Sequence, residues 1–226
     1  MIEFFVIAIF ALVLLSTKSF DLTAVVLSAI YGIAIWRLRG FEWILVLFVF
    51  LVTSLYATYC GRGKDGKKHE HRGADNVLSN GLVPFMSAVF GLPYFYLGSI
   101  SAALADTLGS EIGKMSKEAP VLITNPRKKV ERGLNGGVTK VGTLASIGGS
   151  VIIALLSLVF YNSFVSSPVS LYVLFFAVAA GGVFGSVIDS VLGVVFENSG
   201  LMTNGSVNFV ATLSGGIIAM VIVTFL

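Results

Sequence analysis

Asp106 and Asp189 are carboxylic acids set in otherwise apolar stretches, Ile100 to Gly109 and Gly181 to Gly193. An acid in a membrane span is costly, and such residues default to function. Three Asn-Gly pairs lie where charged loops give way to apolar runs: Asn80-Gly81, Asn135-Gly136 and Asn204-Gly205. Asn is a strong helix N-cap, and a following Gly leaves first-turn N–H groups unobstructed. Helix ends of this kind attract phosphate. Acids beside anion sites would repel phosphate unless a divalent cation bridges them, as Mg2+ does between carboxylates and substrate phosphates. The inventory is therefore that of phosphoryl transfer. Asp106, Glu111 and Asp189 are the expected catalytic and metal-binding groups.

The elements that must position these groups follow from composition. The chain has 226 residues, 56% hydrophobic and only 12% charged, with mean hydropathy +0.92. Soluble domains carry about 25% charge, so this is an integral membrane protein without a separate soluble module. The net charge of +3 does not signal nucleic acid, because the cations sit in short loops beside apolar spans. A lone Cys60 cannot form an internal disulfide, and Met1-Ile2-Glu3 opens a retained span rather than a signal peptide.

Apolar runs lie at 2–17, 20–36, 41–60, 76–91, 93–114, 138–162, 169–196 and 206–226. They predict an all-α polytopic protein of about eight transmembrane helices. Residues 1–60 are the N-terminal spans; residues 61–226 are the membrane catalytic core, with basic loops 61–75 and 114–139. Thirteen of the fifteen Lys and Arg fall in the odd-numbered loops, and only Arg37 and Arg39 face the other way. The positive-inside bias puts the odd loops, and the active face, in the cytoplasm and both termini outside. Trp36 and Trp43 flank the outer loop as interfacial anchors.

Two hairpins look like copies. Gly98 leading to Asp106 parallels Gly181 leading to Asp189, and Asn135-Gly136-Gly137-Val138 parallels Asn204-Gly205-Ser206-Val207. Asn80-Gly81 is a third, worn copy. Parallel repeats about an axis along the membrane normal would gather equivalent groups. Small-residue stripes, such as Gly181, Gly185, Asp189 and Gly193, permit close helix packing. In loop five, Pro120 and Pro126 bracket an apolar Val-Leu-Ile and predict an ordered loop over the site. His69-Glu70-His71 has a spacing a metal could use but reads as a solvated basic loop. Walker-type, Cys-x-x-Cys and Gly-x-Ser-x-Gly motifs are absent from the sequence.

Several segments resemble the transmembrane protein 19-like family, which includes plant phytyl-phosphate kinase. They are Arg72 to Gly81, Ala105 to Gly113, Val130 to Thr139, Gly185 to Gly193 and Asn204 to Asn208, within roughly residues 70–215. Glu197 stands where Gln is expected. The resemblance implies phosphorylation of a prenyl or phytyl monophosphate to the diphosphate by a nucleoside triphosphate. Similarity to CTP-using polyprenol and phytol kinases points to CTP. Nucleotide and phosphate contacts then fall to Asn80, Ser110, Lys114, Lys128, Lys129, Arg132, Asn135, Gly136, Asn204 and Asn208. Arg72 and Ser190 are assigned to the lipid phosphate. The expected setting is a multi-pass protein of a cell membrane, working with Mg2+, nucleotide, lipid monophosphate and bilayer, without nucleic acid; a homo-oligomer is left open. The alternatives are a transporter of an anionic solute and a membrane lipid nucleotidyl or phospho-alcohol transferase.

Overall fold

The computed structural model describes residues 7, 10–11, 14–15, 20–61, 73–165 and 169–226. Most of the first apolar run, Lys18, Arg72, His69-Glu70-His71 and the other cations of the 61–75 loop lie outside the described residues.

Helix starts and stops follow local chemistry. Helix α1 (Leu22–Arg39) begins where the Asp21 carboxylate accepts the Ala24 N–H at 2.7 Å. It ends at Gly40, whose φ of +96° is left-handed, and α2 (Phe41–Gly61) starts at once. Helix α3 (Ala74–Phe90) is closed by Gly91 at φ +69° and reinforced by Leu92 N–H donating to Ser87 O. Pro93, with φ already fixed for a first helical turn, opens α4 (Pro93–Gly113). The remaining helices are α5 (Lys140–Val159), the single turn α6 (Tyr161–Phe164), α7 (Leu171–Leu192) and α8 (Asn204–Phe225).

Helix α4 is the axis of the molecule. It packs against α2, α3, α5, α7 and α8, and residues 96–105 are all buried. Small side chains make that possible. A Cβ on Gly215 of α8 would lie 2.8 Å from the carbonyl oxygens of both Gly98 (α4) and Gly181 (α7), closer than real Cβ atoms come. Between α4 and α5, a Cβ on Gly142 would lie 2.7 Å from Gly109 O. Close backbone approach of this kind replaces the hydrophobic drive that lipid does not supply. On the same helix Tyr96 donates its hydroxyl to Trp43 O at 2.6 Å, and the Trp43 ring packs at a tilt against those of Tyr96 and Phe164 in the core.

The expected architecture stands in part, as a mostly helical integral membrane chain, and three details of it are corrected here. Five helices among the described residues are long and apolar enough to cross a membrane: α1, α2, α5, α8 and the Leu171–Glu197 stretch. Helix α3 has 17 residues; α4 needs no apolar surface because protein covers it. The class is helical rather than strictly all-α, because the 114–139 loop folds into a three-stranded antiparallel sheet ordered β2-β1-β3. Its strands are β1 (Val121–Leu122), β2 (Asn125–Lys129) and β3 (Gly137–Val138), in register Val121↔Lys129 and Val121↔Val138. The Asn-Gly pairs are not three equivalent helix ends. Thr139 and Thr203 are the N-caps of α5 and α8, each hydroxyl accepting an N–H three residues on. Asn135 therefore lies in the turn ahead of its helix, Asn204 is the first residue of α8, and Asn80 is inside α3. The second half of the sequence repeat is accordingly out of structural register. Its first half matches: α4 and α7 run side by side, with Ala102 facing Gly185 and both helices meeting α8 at Gly215.

Candidate functional site

Because α4 and α7 lie parallel in register, the two acids meet. The Asp106 and Asp189 carboxyl groups share a hydrogen bond. Asp189 Oδ1 is buried with no hydrogen-bond partner. Lys114, at the end of α4, acts on Asp106 as an attractive charge, and Glu111 and Glu197 as repulsive ones. The Lys114 ammonium lies 3.4 Å from Glu111 Oε1. The other Glu111 oxygen is buried and unpartnered, against Gly61 of α2, where a Cβ would come within 2.7 Å of it. Glu111 thus turns from the acid pair toward α2.

A second cluster is built by a change of helix type. After Leu192 the chain widens into a π-helical turn, Gly193–Glu197; such turns are frequent at functional sites. The Glu197 carboxylate accepts from the side-chain amides of Asn204 and Asn135. Asn198 donates to Asn135 O at 3.1 Å, and Asn208 to Asn204 Oδ1 at 3.3 Å. The Asn135 turn is docked by Gly136, whose φ is +74° and whose added Cβ would overlap Val194 and lie 2.6 Å from Ser190 O. Only glycine fits on both counts. Glu197, whose role the sequence left open, joins loop, α7 and α8. Asn198 was not anticipated at all. Glu197 was marked in the sequence only as a departure from the expected Gln, and Asn198 carries no signal; both placements depend on the wide turn before them.

One cavity of about 870 Å3 takes in both clusters. Asp106, Glu111, Asp189, Asn80, Ser110, Lys114, Arg132, Asn135, Gly136, Ser190, Asn204 and Asn208 all line it, as does Glu197. Pro120 and Ile123 of the sheet segment close over it. Arg132, on the exposed rim, donates to Lys114 O at 3.5 Å. Lys128 and Lys129 lie on fully exposed β2 and are not among the residues that line this cavity. Strand pairing places β2 at the outer edge of the sheet. The cavity continues between α1, α2 and α3 as an apolar arm.

The family profile described as integral membrane protein DUF92 matches residues 5–216. The chain belongs to this family. An uncharacterised membrane protein of Methanocaldococcus jannaschii is 32% identical over 98% of the chain and 93% of its own length. An uncharacterised membrane protein of Synechocystis is 27% identical over 84% of the chain and 78% of its own length. Protein PGR of Arabidopsis thaliana is 38% identical over 46% of the chain and 37% of that protein. No solved structure matches.

The acids of this DUF92 chain can be tested against a divalent cation through Asp189. Its buried, unpartnered oxygen beside a second carboxyl group is a donor awaiting a ligand. Two carboxylates, with waters and phosphate oxygens in the other positions, are a donor set that Mg2+ accepts. The three-acid cage is not formed: among the described residues no three of His, Cys, Asp and Glu converge on one point.

Proposed function

We propose that this DUF92 protein is a membrane kinase that transfers a phosphoryl group from a nucleoside triphosphate, CTP first among them, to a prenyl or phytyl monophosphate. The observation that carries the reading is the Asp106–Asp189 pair at the charged end of a cavity whose other arm is apolar. An amphiphilic anion and a charged co-substrate both find matching surfaces there. The resemblance to the transmembrane protein 19-like family supports the same reaction.

In the reaction, an oxygen of the lipid monophosphate attacks the terminal phosphorus of the triphosphate. The bond from that phosphorus to the bridging oxygen breaks, and nucleoside diphosphate leaves. A lipid monophosphate is already anionic near neutral pH, so no strong base is required. The task is to bring two polyanions together in line. Asp106 and Asp189 would hold Mg2+, which when bound supplies positive charge against both phosphate chains. Lys114 and Arg132 bring cationic groups to the same cavity, where fixed charges are worth more than in water. Glu197 keeps the Asn135 and Asn204 amides aligned, and these orient phosphate or ribose oxygens. Ser190 and Ser110 offer hydroxyls along the wall. The charged end opens to the cytoplasm by the distribution of Lys and Arg.

The test is incubation of the purified full chain, in nanodiscs with Mg2+, with labelled CTP, ATP, GTP or UTP and a series of prenyl monophosphates. The expected products are lipid diphosphate and nucleoside diphosphate. Release of pyrophosphate would move the reading to a nucleotidyl transferase. Solute counterflow without nucleotide would move it to a carrier.

A further inference from the structure

We infer that Asn80 and Asn208 form a base-reading pair, two amide oxygens that accept the N–H groups of an exocyclic amine on the nucleotide's base. The inference rests on the nucleotide-dependent reading above and adds which bases the cavity selects.

The direction of each amide follows from partners that can only accept. An ionised carboxylate or a backbone carbonyl has no hydrogen to give, so an amide meets it with its nitrogen. Glu197 takes the Asn204 side-chain nitrogen in this way. Asn204 then turns its Oδ1 to the other side, where Asn208 Nδ2 donates to it at 3.3 Å. Asn208 is left presenting its own Oδ1. The same logic holds on α3. Asn80 Nδ2 lies 3.4 Å from Asn76 O and 3.4 Å from Ser79 Oγ. With its nitrogen tied to its own helix, Asn80 also presents Oδ1. Among the described residues, no donor is bonded to either oxygen.

The helices bring these two residues to one place. Helices α3 and α8 pack together, and a Cβ on Gly205 would meet Ser79 Cβ at 3.7 Å. Asn80 follows Ser79 directly and Asn208 comes three residues after Gly205, so both lie within one helical turn of this contact. Both line the cavity that holds the acid pair.

Carbonyl oxygens select a ligand by what it can donate. Ionised phosphate oxygens have no hydrogen to offer and would be repelled. A metal ion or an ammonium group would go first to the charged Asp106 and Asp189 carboxyls. A hydroxyl brings one hydrogen. An exocyclic amine brings two on one nitrogen, the match for two acceptors on adjoining helices. Cytosine and adenine carry such an amine where uracil and hypoxanthine carry an oxygen, which two amide oxygens would reject.

The test is displacement of labelled CTP or ATP from the full chain in nanodiscs, with Mg2+ and no lipid substrate. UTP should compete about tenfold or more less well than CTP, and ITP likewise less well than ATP. 2′-Deoxy-CTP, altered only in the sugar, should stay within about threefold of CTP. Asn80→Leu and Asn208→Leu keep volume without an acceptor and should bring the CTP-to-UTP ratio to within about threefold. Glu197→Ala, which releases the Asn204–Asn208 relay, should lower that ratio too. Glu197→Gln, whose Oε1 still accepts from Asn204, should restore it.

Equal binding within both amino–oxo pairs overturns the reader, and this comparison needs no variant. A loss seen only with 2′-deoxy-CTP, or Leu substitutions that keep the parent ratio, also overturns it. Amino preference without phosphoryl transfer leaves the reader standing and removes the kinase; turnover without base preference does the reverse. A chain that binds neither CTP nor ATP removes both.

Discussion

Two carboxyl groups joined inside a helix bundle are hard to attribute to packing. Any apolar pair of similar volume would stabilise α4 against α7 at least as well. Asp106→Asn and Asp189→Asn keep size and hydrogen-bonding capacity but lose the charge. Each is expected to yield folded protein with an unchanged elution profile and turnover lowered by about a hundredfold or more, read as labelled lipid diphosphate formed. Glu197 should behave differently. Its role is to hold Asn135 and Asn204 together, so Glu197→Ala should lower turnover by about tenfold, and Glu197→Gln, which keeps an acceptor, should recover most of it. Lys128→Ala and Lys129→Ala, outside the cavity, should leave turnover within about twofold. Asp106 and Asp189 stood out in the sequence because a bare acid in an apolar run is too costly in lipid to persist without a function. Glu197 was marked only as a departure from Gln with its role open, because it follows the apolar run and its place in the cavity depends on the π turn.

At the scale of elements, the glycines divide by what surrounds them. Gly215→Ala would force a Cβ to within 2.8 Å of two backbone oxygens and should cost about 1–3 kcal/mol. Gly148, also in a buried-sided helix but with nothing within 4 Å of a built Cβ, should gain about 1 kcal/mol as Ala. Thermal unfolding of the two variants in one detergent compares them directly, and equal shifts would refute the packing account. The small-residue stripes were visible in the sequence, and the α4–α7 contact follows from them. The start of α5 was not: Asn135 and Asn204 are flanked alike, yet Thr139 and Thr203 form the caps. Both Asn and Thr are good N-caps. The 120–126 segment reads from sequence as an ordered loop over the site, but its strands do not show there. Its central strand β1 has two residues, too short for a period-two pattern, and β2 is wholly exposed, so no apolar face marks it.

For the whole molecule, membrane sidedness is the quantity that the charge distribution predicts. A single cysteine at Lys128, in a Cys60→Ala background, should react with an impermeant maleimide only when the cytoplasmic face is opened. One at Leu38 should react from outside; the opposite pattern would invert the orientation. The multi-pass character was legible from hydropathy. The number of free-standing spans was not, because hydropathy measures fitness for lipid and α4 meets none along its buried stretch. That sheathing bears on how the protein is made. Helix α4 emerges from the ribosome after α2 and α3 but before α5, α7 and α8, the three helices it packs against most, and its own sequence is too polar to rank with the five apolar spans among the described residues. Its seat in the bilayer is therefore completed late, when the neighbours made after it join α2 and α3. A chain ending before α5 should insert this segment less fully than one extended past Phe225; glycosylation tags placed in the 114–139 loop of both would report the switch.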